Sequence, residues 1–332
     1  MLHNRRLRMG RPSREELLLV LITFVWGTTF LIVHVAMGHS GPWFFVGLRF
    51  AVAGLISAVI FHRALRGTRW RDVGAGASIG AMIWLGYGLQ TVGLQTISSS
   101  TSAFITALYV PLVPLLQWLV LRRRPSRTTL VGVALAFVGL MLLADPGAVG
   151  FGLGPGEVAT LVSTLPIAAE IILISLFAGK VDLGRVTVVQ LLTASLLSLA
   201  TMPATGEGLP AFSWVWLAAA VGLGAASCAI QLTMNWAQRS VSPTRATIIY
   251  SGEPVWGGII GRIAGDRLPA VAIVGAVLIV AGSLVSELKP RRSGPETAEP
   301  APLAGGPGDG AADPRPDVPA GTARTPEPAV PA

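Results

Sequence analysis

The sequence predicts an all-α membrane protein with ten transmembrane helices, arranged as an inverted repeat of two five-helix halves. Three observations predict this fold class: an apolar composition, basic residues concentrated in alternate loops, and an internal repeat. Of the 332 residues, 52% are hydrophobic and only 13% are charged, whereas soluble domains carry roughly 25% charged residues. The composition therefore places most of the chain in a lipid bilayer.

Ten windows are apolar enough to cross a membrane as helices, which takes about 20 residues each. They are Leu17–Met37, Pro42–Phe61, Val73–Leu94, Ala103–Leu121, Thr129–Ala144, Glu157–Ala178, Val186–Met202, Trp214–Ala237, Ala246–Ala264 and Val271–Leu288. The first window is not a cleaved signal peptide, because it is too long and no small-residue cleavage site follows it. The single cysteine, Cys228, lies inside a window and supports neither a disulfide framework nor a metal site.

Basic residues concentrate in the loops on one side of the predicted membrane. With a cytoplasmic N-terminus, the basic residues on the inner side are Arg5, Arg6, Arg8, Arg11, Arg14, Arg63, Arg66, Arg69, Arg71, Arg122, Arg123, Arg124, Arg127, Lys180, Arg185, Arg239, Arg245, Lys289, Arg291 and Arg292. The outer loops hold Arg267 alone. This distribution follows the positive-inside rule, so we expect both termini in the cytoplasm of a multi-pass cell-membrane protein. The net charge of +8 orients the chain and does not indicate nucleic-acid binding.

The second half of the chain repeats the first. Residues 101–142 align without a gap to residues 244–285. The two segments share a proline and two glycines, which are Pro111 with Pro254, Gly132 with Gly275 and Gly139 with Gly282. Because each half holds an odd number of predicted helices, the second half must enter the bilayer from the opposite side. Inverted repeats of this kind are typical of secondary transporters.

These observations divide the chain into four parts. Residues 1–14 form a basic cytoplasmic N-terminus, residues 15–146 the first five-helix repeat, and residues 147–289 the second. Residues 290–332 are rich in Pro, Ala, Gly and acidic residues and lack apolar periodicity. Such a segment cannot bury enough apolar surface to offset its ordering entropy. We therefore expect a disordered cytoplasmic tail.

The chain carries four short motifs: Trp26-Gly27, Leu48-Arg49-Phe50, Thr101-Ser102-Ala103 leading to Pro111, and Glu253-Pro254 leading to Gly265-Asp266. In these motifs it resembles the ten-helix EamA-type members of the drug/metabolite transporter superfamily. The resemblance covers roughly residues 15 to 288 and implies a transporter of amino acids, nucleosides, sugars or other metabolites. The family usually carries an acidic residue at the end of the fourth helix, where this chain has Arg122–Arg124.

Three charged residues fall near the middle of predicted membrane helices: Arg49, Glu170 and Glu253. Each costs at least about 2.5–3.5 kcal/mol at that depth, so we expect each to face a partner or a water-filled cavity. Arg49 either pairs with Glu170 or Glu253, or anchors an anionic substrate group. Glu253 either handles substrate or protons beside a helix broken at Pro254, or forms a structural ion pair or cap.

Neutral side chains complete the candidate site. Tyr87 and Gln90 lie in the third predicted helix and Gln231 in the eighth, the same helix of each repeat, so we expect them at the repeat interface. Ordinary interhelical hydrogen bonding is the alternative for these residues, as packing is for the aromatic rings. The candidate substrate-binding residues are Trp26, Arg49, Tyr87, Gln90, Glu170, Gln231, Tyr250 and Glu253.

One pentapeptide, GASIG at residues 76–80, matches a hydrolase nucleophile elbow. The elbow requires a strand-to-helix turn, whereas these residues lie within a predicted membrane helix. We interpret its glycines as helix-packing positions. The glycines interpreted in this way are Gly76, Gly80, Gly257, Gly261 and Gly265. No phosphate-binding glycine loop is present either, so we expect neither an enzyme nor a bound cofactor.

These features together predict a secondary active transporter that works by alternating access. We expect an exporter of a small polar metabolite such as an amino acid, with the substrate and the bilayer as its partners. Coupling to protons is compatible with the intramembrane carboxylates, and nucleic acid is not an expected partner. The alternative is a non-transporting membrane scaffold or receptor, which only the disordered tail favours.

Overall fold

The computed structural model describes residues 13–121, 127–143, 153–241 and 243–287, and every regular element in these ranges is a helix. The helices are α1 (Arg14–Met37), α2 (Pro42–Ile60), α3 (His62–Leu65), α4 (Trp70–Gly93), α5 (Ser99–Thr106), α6 (Tyr109–Leu121), α7 (Arg127–Leu143), α8 (Pro155–Phe177), α9 (Leu183–Ala204), α10 (Trp214–Ala237), α11 (Pro243–Tyr250), α12 (Glu253–Ile263) and α13 (Ala270–Glu287). The predicted all-α class is confirmed. Most of the N-terminal basic segment, the Arg122–Arg124 cluster and the tail 290–332 lie outside the described residues.

Six helical stretches of the described chain are long and apolar enough to cross a membrane. They are Arg14–Met37, Pro42–Ile60, Ser99–Leu119, Pro155–Phe177, Leu183–Ala204 and Trp214–Ala237. Two further apolar helices, Arg127–Leu143 and Ala270–Val285, are shorter. The molecule is therefore a multi-pass membrane protein.

Two of the predicted spans are interrupted at equivalent places in the two halves. The span at 103–121 divides where α5 ends at Thr106 and α6 begins at Tyr109. The span at 246–264 divides where α11 ends at Tyr250 and α12 begins at Glu253. Pro254 is tolerated at the second position of α12, because the first turn of a helix lacks acceptors for its N–H groups. The predicted break beside Glu253 is therefore present.

The last helices of the two halves, α7 and α13, pack closely on each other. A Cβ atom added to Gly139 would lie 2.5 Å from the Gly275 carbonyl oxygen, and one added to Gly282 would lie 2.6 Å from the Gly132 carbonyl oxygen. Only glycine permits this backbone approach. Residue numbers rise along α7 while those of the contacted residues fall along α13, so the two helices run antiparallel.

The second helices of the two halves, α2 and α9, pack in the same way. A Cβ on Gly47 would meet Leu199, whereas one on Gly54 would meet Leu192. These contacts again indicate an antiparallel pair. Helices that correspond in the repeat therefore lie side by side in opposite directions.

A carboxylate secures each end of the α2–α9 pair. At the start of α2, Glu207 accepts hydrogen bonds from the backbone N–H groups of Trp43 and Phe44, at 3.0 and 2.7 Å. At the start of α9, Asp72 accepts a hydrogen bond from the backbone N–H of Asp182 at 3.3 Å. Asp72 also pairs with Arg185, whose Nη1 lies 3.3 Å from Oδ2. Each carboxylate belongs to the opposite half from the helix start that it holds.

The interpretation of the glycines is confirmed at four positions and wrong at one. A Cβ on Gly76 or Gly80 would collide with α9, and one on Gly257 or Gly261 would collide with residues of α5. Gly265 has a φ of +108°, and no atom of the described residues lies within 4 Å of an added Cβ. It serves the turn after α12, because a positive φ favours glycine, and not helix packing.

Candidate functional site

Polar and aromatic side chains from both halves meet in the interior of the bundle. We call this group the central cluster: Trp26, Arg49, Tyr87, Tyr109, Glu170, Gln231, Tyr250 and Glu253. Each of these side chains is buried. They come from α1, α2, α4, α6, α8, α10, α11 and α12, so neither half forms the cluster alone.

Arg49 lies among a hydroxyl group and two aromatic rings. Its Nε donates a hydrogen bond to Ser227 Oγ at 2.7 Å. The guanidinium carbon lies 5.1 Å from the ring centroid of Tyr87 and 5.4 Å from that of Phe50. Aromatic faces attract a cation within about 6 Å. Within the described residues Arg49 forms no ion pair with Glu170 or Glu253, so the pairing considered from the sequence is not observed.

Glu170 ends a chain of buried amide side chains. Gln231 Nε2 donates to Glu170 Oε1 at 2.8 Å, and Gln190 Nε2 donates to Gln231 Oε1 at 2.9 Å. Asn235 Nδ2 donates in turn to Gln190 Oε1 at 3.2 Å and to Thr187 Oγ1 at 3.0 Å. A carboxylate can only accept hydrogen bonds, so an ionised Glu170 gives every amide in the chain this one orientation.

Glu253 occupies the first position of the half-helix α12. Its Oε2 accepts a hydrogen bond from the hydroxyl group of Tyr109 at 3.1 Å. Tyr109 begins α6, the corresponding half-helix of the first repeat. The N-terminus of a helix carries partial positive charge that stabilises an anion. The carboxylate therefore lies where the two broken helices meet.

Aromatic rings connect the charged groups. Trp26 stacks on Tyr87 with ring centroids 6.4 Å apart, and it contacts Tyr250 edge-on at 5.8 Å. The Arg49 guanidinium carbon also lies near the Tyr87 ring, 5.1 Å from its centroid.

Gln90, one turn beyond Tyr87 in α4, donates to Thr106 Oγ1 at 3.0 Å beside the break between α5 and α6. The structure thus brings Trp26, Tyr87 and Tyr250 together with the charges and places Gln90 at the edge.

Several buried polar atoms of the cluster lack a hydrogen-bond partner among the described residues. They are Arg49 Nη2, Glu170 Oε2 and Glu253 Oε1. Leaving a buried donor or acceptor unsatisfied costs roughly 1–3 kcal/mol, and more for a charged group. The cluster therefore offers one cationic donor and two anionic acceptors that a bound molecule would satisfy.

A cavity lies outside the central cluster. Its volume is about 650 Å³, and it is lined by residues of α5, α12 and α13 together with Asp266 and Leu268. The lining is apolar apart from Ser100, Arg262 and Asp266. No lining residue belongs to the central cluster, and the apolar walls are unsuited to a small polar metabolite.

Three side chains that form hydrogen bonds with candidate residues are absent from the set predicted from the sequence. Tyr109 is 144 residues from Glu253 in the chain, and no motif links the two. Ser227 and Gln190 belong to no recognisable sequence motif. A search for polar side chains on the buried faces of membrane helices would find Gln190, since Thr187 lies three residues before it on the same helix face.

Comparison with known proteins gives the family. Residues 13–144 and 154–287 each match the EamA-like transporter family. An uncharacterized transporter of Archaeoglobus fulgidus is 30% identical over 275 residues, which cover 82% of this chain and 86% of that protein. The uncharacterized inner membrane transporter YedA of Escherichia coli K12 is 25% identical over 286 residues, covering 82% of this chain and 92% of YedA.

A solved crystal structure shares the fold. It superposes with a TM-score of 0.61 at 18% sequence identity and covers 83% of this chain and 99% of that one. The two family matches account for both halves of the chain and agree with the prediction that it is not an enzyme. The chain belongs to the EamA-like transporter family.

Proposed function

We propose that this protein is a secondary active transporter of a small zwitterionic metabolite, with amino acids as the leading class, and that the central cluster binds it. Ten membrane spans form two inverted halves with both termini in the cytoplasm. The halves expose the cluster to one side of the membrane and then to the other. The candidate substrate-binding residues remain Trp26, Arg49, Tyr87, Gln90, Glu170, Gln231, Tyr250 and Glu253, to which we add Tyr109.

The observation that carries this proposal is the set of unsatisfied charged atoms at the interface of the halves. Arg49 Nη2 is a donor suited to a carboxylate, and the free oxygens of Glu170 and Glu253 are acceptors suited to an ammonium group. A zwitterion satisfies both kinds of atom, whereas a purely anionic or purely cationic substrate satisfies one. The aromatic rings between the charges exclude water and strengthen these interactions.

The packing of the halves supports alternating access. Corresponding helices run antiparallel, as expected for repeats related by a two-fold axis in the membrane plane. The carboxylates of Glu207 and Asp72 hold opposite ends of the α2–α9 pair. Breaking the contacts at one end while keeping those at the other opens the cluster to a single side.

We further propose that transport is coupled to protons and that the direction of transport is export. Glu253 lies beside a broken helix and accepts only the hydroxyl group of Tyr109 among the described residues. Burial favours its neutral form, and the N-terminus of α12 favours its ionised form. A group balanced in this way can take up a proton on one side and release it on the other.

Transport by the purified protein in proteoliposomes tests the proposal. Labelled amino acids, nucleosides, sugars and organic acids are supplied with and without a pH gradient, and protein-free vesicles give the background. We expect uptake of a zwitterionic compound that Arg49→Gln abolishes and that Arg63→Gln, a change to an exposed arginine, preserves. Failure of every class to accumulate with a folded protein would contradict transport and favour a scaffold or receptor.

A further inference from the structure

The cavity between α12 and α13 is a groove on the outside of the bundle. α12 packs mainly on α1 and α5, whereas α13 packs mainly on α7, so the two consecutive helices diverge. Phe104 of α5 contributes to the groove lining, and Gly258 of α12 adds no side chain that would fill it. Val255, Ile259 and Val277 line the groove with exposed apolar side chains. In a membrane these side chains face hydrocarbon.

The dimensions of the groove match one leaflet of a bilayer. Its lining runs from Val255 to Ile263 on α12 and from Ile273 to Leu284 on α13. At about 1.5 Å per residue, these stretches span roughly 12 and 16 Å. Half of a hydrocarbon core of about 30 Å is 15 Å. The groove is therefore about as long as one leaflet is thick, which suits a single acyl chain.

A cation lies at the polar end of the groove. Arg262 is exposed, and its Nη1 donates a hydrogen bond to the backbone oxygen of Asp266 at 3.2 Å. Ser99 and Ser100 engage the carboxylate of Asp266 through two hydroxyl groups and one backbone N–H, at 2.8 to 3.0 Å. Burial raises the pKa of Asp266, but these hydrogen bonds outweigh it and lower the pKa below its ordinary value. The Asp266 carboxylate thus forms its hydrogen bonds with the start of α5. Arg262 forms no ion pair within the described residues.

We propose that this groove is a binding site for an anionic phospholipid. One acyl chain lies between α12 and α13, and the lipid phosphate contacts the guanidinium group of Arg262. A guanidinium binds phosphate through paired N–H groups, which gives the site its charge preference. The site is separate from the central cluster, so the inference does not depend on the proposed substrate.

Native mass spectrometry of the purified full chain tests this proposal. The protein is exchanged into mixed micelles with equal amounts of phosphatidylglycerol and phosphatidylcholine, and the retained lipids are counted. We expect preferential retention of phosphatidylglycerol, which Arg262→Ala reduces about fivefold, as expected for one basic residue beside an anionic lipid. Arg267→Ala is the matched control, because Arg267 is exposed beside Asp266 but does not line the groove.

A second pair of variants tests the apolar part of the site. Val277 and Val274 are both exposed on α13, but only Val277 lines the groove. We expect Val277→Trp to fill the groove and reduce lipid retention, and Val274→Trp to leave it unchanged. Equal retention of both lipids, or equal effects of Arg262→Ala and Arg267→Ala, would overturn the charged site. Equal effects of the two tryptophan variants would overturn the groove as the location.

Discussion

Glu253 is the side chain that best connects sequence, structure and function at the scale of a residue. The sequence Glu253-Pro254 predicts a broken helix because proline lacks an N–H and disrupts the preceding turn. The structure confirms the break and places Glu253 at the first position of α12. Within the described residues no backbone N–H group donates to Glu253, and α12 begins without a side-chain cap, so the cap considered from the sequence is not observed. A structural charge at the start of α12 and proton handling at the unsatisfied Oε1 both stay predictions. Both roles are compatible in one carboxylate.

Replacement of this carboxylate separates the two roles. We expect Glu253→Gln to fold, because the shape is kept, but to lose transport that depends on pH, because the amide cannot exchange a proton. Tyr109→Phe removes the hydrogen bond and leaves the carboxyl group in place, so it should retain a pH dependence. Proteoliposome uptake between pH 5 and pH 9 measures both, with size-exclusion chromatography as the folding control. An unchanged pH profile in well-folded Glu253→Gln would leave only the structural role.

The partners of the charged residues could not be predicted from the sequence. Tyr109 precedes Val110, the residue that aligns with Glu253 in the repeat, and nothing in the alignment indicates that the two half-helices meet. Arg49 was expected either to pair with a carboxylate or to anchor a substrate. It rests on two aromatic faces and a hydroxyl group instead of a carboxylate, because aromatic rings also accommodate a cation. The sequence predicts which residues lie deep in the membrane. Which residues of the two halves contact each other is known only from the three-dimensional structure.

At the scale of elements, the glycines that match in the internal repeat lie where two helices pack on each other. A Cβ added to Gly139, Gly275 or Gly282 would lie 2.5 to 2.6 Å from the carbonyl oxygen of a matched glycine on the other helix. The antiparallel packing explains why these glycines occur in both halves of the chain. Each glycine of one helix meets the glycine of the other helix that is not its equivalent in the repeat. The exception is Gly265, whose spacing suggested packing but whose positive φ shows a turn.

The α7–α13 contact predicts a selective sensitivity to one methyl group. Gly139→Ala places a Cβ 2.5 Å from the Gly275 carbonyl oxygen, and forcing the helices apart costs about 1–3 kcal/mol. Gly222→Ala on α10 is the matched control, because no atom of the described residues lies within 4 Å of the added Cβ. We expect a lower Tm for Gly139→Ala alone, measured by thermal unfolding in detergent. Equal Tm values for the two variants would contradict the close helix contact.

At the scale of the whole molecule, the loop charges predict the orientation in the membrane. The helix α9 is a convenient test, since the loops at its two ends should lie on opposite sides of the membrane. In a Cys228→Ser background, we expect a cysteine at Lys180 to react with an impermeant maleimide only from the cytoplasmic side. A cysteine at Gly208 should react only from outside, and both positions are exposed. The reversed pattern would invert the orientation, and labelling of both from one side would show that α9 does not cross.

Counterflow in proteoliposomes is the measurement that tests alternating access at the central cluster most directly. Vesicles are loaded with excess unlabelled substrate and diluted into a trace of the labelled compound. A carrier that alternates between two sides exchanges one for the other, so the label accumulates transiently above its equilibrium level. We predict this overshoot for the native protein and for Arg63→Gln, and its loss in Arg49→Gln. Downhill flux without an overshoot, or an overshoot that Arg49→Gln preserves, would contradict the account.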